Sequence, residues 1–180
     1  MYLRFAALFV AVALSGCASS PVESAYNLGV HAFQAKDYRE ARTQWSKAID
    51  GGDILALNNL GYLLYYGLGG KSDQTRASEL WRRAAMQGNS ESQWHLGTAY
   101  ESGEGVEQSY VEAYAWYRCS VAATESALED RKSLEAAIAQ DANKSLHKLL
   151  ERIPAEQFAL AEHLAKQYIS AYSRRKAENG

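Results

Sequence analysis

The chain has 180 residues, 47% hydrophobic and 22% charged, which suits one or two compact domains and is too apolar for a disordered polymer. Its 19 basic and 21 acidic residues leave a net charge of -2, with no basic excess to hold a phosphate backbone, which argues against nucleic acid as a partner. Two cysteines are too few for a disulfide scaffold or a four-thiolate zinc site, and the two prolines, Pro21 and Pro154, leave everything between them free to be helical.

The N-terminus carries one positive charge, Arg4, then an apolar run over 5–14, then Ser15-Gly16-Cys17. This is the layout of a secretory signal peptide. The run is too short for a permanent anchor, since a bilayer-spanning helix needs roughly 20 apolar residues. Leu14-Ser15-Gly16-Cys17 resembles the lipobox of bacterial lipoproteins. That resemblance implies lipidation of the Cys17 thiol, cleavage just before it, and, with Ala18 rather than aspartate following, sorting to the outer membrane. Two or three acyl chains hold stably where one holds marginally. Residues 1–16 are therefore read as a lipoprotein signal peptide and 17–23 as a lipidated tether containing Ser19, Ser20 and Pro21.

From residue 24 a 36-residue period takes over. Ala41, Ala77 and Ala113 occupy one phase; Trp45, Trp81 and Tyr117 a second; Ala48, Ala84 and Ser120 a third. Asp37, Asp73 and Ser109 precede these windows as N-caps, and Glu40 and Glu112 stand three residues later, where a capping box is expected. Gly52 and Gly88 are placed to end the windows in the left-handed conformation. A second set of helices starts at Asp53 and Asn89 and carries Leu60-Gly61 and Leu96-Gly97, glycines expected where two helices approach closely. Gly67, Gly69 and Gly70, and then Gly103 and Gly105, form the turns between paired helices. The first unit differs: its turn is four residues shorter and lacks the paired glycines.

Leu96-Gly97, Tyr100, Gly103, Gly105-Val106, Glu112-Ala113, Trp116 and Tyr117 resemble the Sel1-like (SLR) repeat, a branch of the tetratricopeptide-like helical repeats. The second unit fits through Leu60-Gly61, Gly67, Gly69, Ala77, Trp81, Ala84-Ala85 and Gly88, with Leu64 where the family favours tyrosine. The first unit is closer to an ordinary tetratricopeptide repeat. The resemblance implies an all-α fold, an α-solenoid of helix hairpins that binds other proteins, and it implies no reaction. The units are read as 24–52, 53–88 and 89–124.

A repeat array must hide its last apolar face. Residues 125–172 are read as a C-terminal helical cap, using Leu128, Leu134, Ile138, Leu146, Leu149 and Leu150, and Asp141-Ala142-Asn143 leaves open whether 125–153 forms one helix or two. Pro154 is expected to open a last helix carrying Phe158, Ala161, Leu164, Ala165 and Tyr168, and 173–180 to form a frayed basic tail.

No catalytic constellation stands out. Gly70-Lys71-Ser72 lacks the glycine five positions earlier that a phosphate loop needs, since Tyr65 is there. His31, His95, His147 and His163 have no metal-ligand spacing, and Cys119 reads as a buried structural thiol. No metal site and no cofactor is expected. Some Sel1-like proteins brace each hairpin with a cysteine pair and are linked to β-lactam chemistry; this chain lacks those pairs.

First helices line the concave face of this architecture, and exposed aromatics with amides are what peptide grooves use. With Leu60, Gly61 and Leu64 inward, Asn58, Asn59, Tyr62 and Tyr66 are expected to face out. Their counterparts are Tyr26, Asn27 and Val30 in the first unit and Trp94, His95, Thr98 and Ser102 in the third; packing of Trp94 and Tyr62 between units is the competing expectation. The chain thus reads as a non-enzymatic, periplasm-facing envelope lipoprotein that scaffolds a protein or peptide partner. The narrower alternatives are an assembly factor for a secretion or exopolysaccharide-export complex and a cell-wall or β-lactam-directed enzyme. Cys17→Ser is expected to release the protein from the membrane fraction, and an unchanged membrane-bound amount on fractionation would overturn the anchor.

Overall fold

The computed structural model describes residues 24–125 and 132–178, and every regular element among them is an α-helix. The segments read as signal peptide and tether, with Cys17, and Leu128 lie outside the described residues. Eight helices follow in order: α1 (Ala25–Gln34), α2 (Tyr38–Asp50), α3 (Ile54–Tyr65), α4 (Gln74–Ala85), α5 (Ser90–Ser102), α6 (Tyr110–Glu125), α7 (Lys132–Leu150) and α8 (Ala155–Glu178). The first six pair as α1–α2, α3–α4 and α5–α6 and stack as an all-α solenoid.

Helix starts are written in the sequence. Ser24, Asp37, Asp53, Asp73 and Asn89 each accept the amide three residues on, and Ser109 Oγ accepts from Glu112 N at 3.2 Å. Such caps are each worth about 1 kcal/mol. The expected capping boxes do not form, for a specific reason. The amides of Asp37 and Ser109 already donate to the Ala32 and Tyr100 carbonyls, 2.9 Å each, tying each cap back to the preceding helix. Glu40 instead accepts from Gln44, and Glu112 accepts from Trp116 Nε1 and the Tyr168 hydroxyl of α8.

Within each hairpin a ring lies on a bare stretch of backbone. Trp45 covers Gly29, Trp81 covers Gly61 and Tyr117 covers Gly97; a Cβ at Gly61 would stand 2.6 Å from the Trp81 indole nitrogen and one at Gly97 2.6 Å from the Tyr117 ring. The two indoles also donate to backbone carbonyls at equivalent positions, Trp45 to Tyr26 and Trp81 to Asn58. Both tryptophans are buried, and truncating a buried aromatic of this kind costs about 3–5 kcal/mol.

Between hairpins, the glycine turns bear on the preceding unit. Gly69, at φ +69° to +78° with its neighbour Gly67, sits on the Tyr38 carbonyl at the start of α2. Gly105, at φ +78°, sits on the Gln74 carbonyl at the start of α4. Arg42 braces the first of these seams, donating to the carbonyls of Leu63 (2.9 Å), Leu68 (2.6 Å) and Lys71 (3.2 Å). The first unit has no preceding hairpin among the described residues to lean on. Its short turn carries the left-handed residue Lys36 (φ 61°) in place of the glycine ledge.

The C-terminal region closes one open reading and departs from another. Helix α7 runs straight through 141–143, because Ala142 is a fully buried contact residue while Asp141 faces solvent and pairs with Lys144 at 3.2 Å. Helix α8 extends to Glu178 in place of a frayed tail from 173, since nothing before Gly180 breaks a run of strong helix formers. Pro154 sits just before α8, and its carbonyl receives the Gln157 amide at 2.9 Å. Helix α7 lies parallel to α5: Ser90 donates to Glu135 at 2.5 Å near their starts, and Arg152 reaches Glu101 at 2.5 Å near their ends. Helix α8 crosses back over the second helices. Glu162 meets Tyr114 and Arg118, Tyr168 packs on Trp116 at 4.6 Å between ring centroids, and Tyr172 reaches Gly88 beyond α4.

The seam contact makes a quantitative expectation. Gly52 (φ +89°) has open space where its Cβ would be, so Gly52→Ala costs about 1 kcal/mol of backbone strain alone. Gly105→Ala adds a collision with α4 backbone, about 1–3 kcal/mol more. In urea unfolding, Gly105→Ala is expected to lower the midpoint at least twice as far as Gly52→Ala; equal shifts would mean that the turn carries no load.

Candidate functional site

The three first helices frame a cleft of about 430 Å³. Helix α1 contributes Tyr26, Val30, Phe33 and Gln34, α3 contributes Asn58, Asn59 and Tyr62, α5 contributes Glu91, and Trp45 closes the floor. That volume lies within the usual range of ligand sites. A chain of rings runs through it: Trp45 to Phe33 at 5.7 Å, Phe33 to Tyr62 at 6.4 Å, Tyr62 to Tyr66 at 4.8 Å. A branch continues from Tyr62 to His95 at 6.1 Å, and His95 stacks on Trp81 at 4.6 Å.

One asparagine organises the floor. Asn58 Nδ2 donates to Glu91 at 2.9 Å, its Oδ1 accepts from Ser92 at 2.7 Å, and its backbone carbonyl accepts the Trp81 indole at 3.2 Å. It therefore joins α3, α4 and α5 at one point. Removing one partner from such a buried network costs about 1–3 kcal/mol.

The residues expected to face outward divide into three groups. Tyr26, Asn59 and Tyr62 line the cleft with free surface, and Tyr66 lies more than half exposed against Tyr62 and Tyr65. Asn27 is exposed but lies outside the cleft lining, its amide capped by Ser24. Asn58 and His95 contradict the expectation: they are 3% and 7% exposed, because a first helix in the stack is covered from two sides and its buried arc is wider than one apolar stripe. Trp94 is half-buried against its own hairpin partner α6 and the cap helices α7 and α8, whereas Tyr62 stays exposed. The Thr98 hydroxyl is taken up within its own hairpin, donating to the Trp94 carbonyl and receiving the Tyr117 hydroxyl at 3.2 Å.

Phe33, Gln34 and Glu91 were not singled out from the sequence. Phe33 stands one heptad after Tyr26, the spacing that stacks side chains along one helix face, and this was the available signal. Glu91 follows a cap residue and looks like an ordinary first-turn acid. Only the fold shows it across from Asn58. Its carboxyl is held below the ordinary carboxylate value by the His95 ring, 3.8 Å away, and by the Asn58 amide, against an opposing push from burial. It is therefore ionised at neutral pH.

The remaining chemistry is structural. Among the described residues no group of three or more His, Cys, Asp or Glu side chains could hold a metal ion. Lys71, in the segment that mimics a phosphate loop, uses its carbonyl to bind Arg42. Tyr65 donates to Glu104, and burial pushes its hydroxyl up to about 12. None of the described helices is long and apolar enough to cross a membrane.

Residues 54–89 and 90–123 match the Sel1 repeat. The two Sel1 units are α3–α4 and α5–α6, the hairpins that carry the glycine ledges. Two curated Arabidopsis thaliana proteins are similar over 111 residues, 59% of this chain. They are the ERAD-associated E3 ubiquitin-protein ligase components HRD3B, 32% identical, and HRD3A, 30% identical. The chain spans only 18% and 16% of their lengths. Among solved structures, the Escherichia coli protein c5321, described as a protective antigen of uropathogenic strains displaying an SLR fold, superposes with a TM-score of 0.69 at 30% identity. That match covers 85% of this chain and 32% of c5321. A Sel1 repeat protein from Oxalobacter formigenes gives a TM-score of 0.53 at 32% identity, over 55% of this chain and 41% of its own. Two stretches of the chain thus match the Sel1 repeat, and its solenoid is similar to those of longer proteins described by that repeat or fold.

The thiol gives a pH expectation. Cys119 is fully buried, and burial raises its pKa from 9.0 to about 12. A folded value above the unfolded one means the folded state keeps the proton longer, so stability is intact below pH 9 and falls as pH rises towards 12. Iodoacetamide at pH 8.5 is expected to leave Cys119 unmodified in native protein and to label it in urea, as read by mass mapping of its peptide. Ready native labelling would refute the burial.

Proposed function

We propose that the protein is a non-enzymatic envelope lipoprotein, anchored through Cys17 and exposed to the periplasm, that uses its repeat cleft to hold a segment of a partner protein. The observation that carries the reading is the cleft itself. Helices α1 and α3 present Tyr26, Asn59 and Tyr62 with free surface, and α5 adds Glu91, around a volume that suits side chains of a bound peptide. Rings supply contact area at little entropic cost and amides supply hydrogen bonds, the combination found at binding hot spots. The Arabidopsis relatives, named as components of a ligase assembly, support an adaptor role for such units.

A scaffold is preferred over an enzyme because Glu91 is the one carboxylate among the residues lining the cleft, so the acid–base pair that hydrolysis uses is not assembled there. An assembly role in secretion or polysaccharide export is one form that scaffolding of an envelope partner takes.

Three first helices at roughly 10 Å spacing span about 20 Å, the length of about six extended residues. A short peptide, loop or terminal helix therefore fits better than a broad domain face. Tyr62→Ala combined with Asn59→Ala is expected to abolish partner capture in envelope crosslinking and to move the melting temperature by no more than about 3 °C. A fluorescent penicillin is expected to leave no covalent label. Undiminished capture by the double variant, or stable labelling that heat denaturation abolishes, would overturn the scaffold reading.

A further inference from the structure

The charge of the cleft is one-sided. Helices α1 and α3 contain no Lys, Arg, Asp or Glu at all, and α5 contains only Glu91 and Glu101. The second helices, by contrast, carry Arg39, Arg42, Lys47, Arg76, Arg82, Arg83 and Arg118. The stack has thus placed every described Lys and Arg up to α6 off the helices that frame the cleft. Of the two carboxylates on the first helices, Glu101 is occupied by Arg152 at 2.5 Å and the Tyr117 hydroxyl at 2.8 Å. Glu91 has no Lys or Arg partner among the described residues.

Glu91 is also poised for one. Asn58 holds its Oε2 at 2.9 Å and so fixes the carboxylate plane. Its Oε1 stands 3.8 Å from His95 Nε2, beyond hydrogen-bond reach, which leaves that oxygen for a donor from outside. The side chain is 44% exposed, so a ligand can reach it. Buried His95 Nε2 has no hydrogen-bond partner beyond this longer approach to Glu91, so the polar end of the cleft is short of hydrogen bonds as it stands. Next to the carboxylate, Tyr62 offers a ring face, and Phe33 and Tyr26 continue the aromatic wall. A carboxylate beside ring faces matches a planar cation: the carboxylate takes the guanidinium fork and the rings take its stem and flat face.

We propose that the cleft selects a peptide segment carrying an arginine, or less tightly a lysine, that pairs with Glu91, beside an apolar residue seated against Phe33 and Tyr26. This inference rests on the groove reading above and names the chemistry of its occupant. Because the pair is partly shielded, its binding weakens with added salt without vanishing.

The test is an array of random twelve-residue peptides probed with the full chain, followed by solution affinities for captured sequences. Captured peptides are expected to be enriched in arginine next to an aromatic or branched aliphatic residue. Glu91→Gln, which keeps an acceptor for Asn58, is expected to weaken an arginine-containing binder by about tenfold or more. Replacing that arginine by neutral citrulline is expected to weaken binding to the unaltered protein equally, and the two changes together are expected to cost no more than either alone. Unchanged melting of Glu91→Gln separates a binding effect from a folding one, and Glu91→Asp, with its carboxylate withdrawn, is expected to recover only part of the affinity. Neutral or acidic binders that depend on Tyr62 but ignore Glu91→Gln would overturn this inference and leave the groove reading standing. Absence of any captured peptide would overturn both.

Discussion

The architecture depends on one short contact: a flat ring pressed against a turn of helix that has no side chain. Because Gly29, Gly61 and Gly97 offer only backbone, the helices of each pair approach closely enough for Trp45, Trp81 and Tyr117 to be buried whole. A methyl group at any of the three would force the pair apart. The indole nitrogens of the first two rings then reach carbonyls on the facing helix, so the same contact that sets the spacing also sets the register. The cleft inherits its shape from this. Trp81 pins the Asn58 carbonyl from behind, and Asn58 in turn holds Glu91 in front.

The cleft wall is thus the outer layer of the core and not an addition to it. His95 illustrates the point: one face of its ring stacks on Trp81 in the interior, and its edge approaches Glu91 at the cleft. Such a site has few independent parts. Substitutions beneath it act through stability, whereas Tyr62 and Asn59 at its rim are free to vary in chemistry with little effect on packing. The cap is tied in by similar means. Glu112, which sequence spacing placed in a capping box, spends both oxygens on Trp116 and Tyr168 and so fastens α8 to the last hairpin.

Much of the fold was legible because each device is local and occurs more than once. The alanine and aromatic phases, the acidic or asparagine caps and the paired glycines recur at one period, and a repeat is its own internal control. The limits of legibility were also physical. Helix α3 is nearly all apolar and α5 intersperses Trp94, Leu96, Ala99 and Tyr100 among polar residues, so neither shows a clear stripe, and the buried arc could not be drawn between Asn58 and Asn59. The partnership of Asn58 with Glu91 spans 33 residues and depends on how one hairpin sits on the next. The continuity of α7 stayed open in the sequence because Asp141 and Asn143, turn formers when isolated, flank an alanine whose burial decides the matter. Cys17 and the segment before it rest on motif chemistry alone.

The glycine ledges give the stack a direction. Each bears on the start of a second helix one unit earlier, Gly69 on Tyr38 and Gly105 on Gln74, and never the reverse. A middle unit therefore holds both halves of the joint: a ledge to rest on its predecessor and a step for its successor. Duplicating 53–88 in frame would reproduce a matched joint at both new boundaries, so the array can lengthen from within while its ends stay as they are. The opening hairpin, with Lys36 in a tight turn, has a step and no ledge. It can begin such a stack, but a copy of it set in the middle would break the chain of supports.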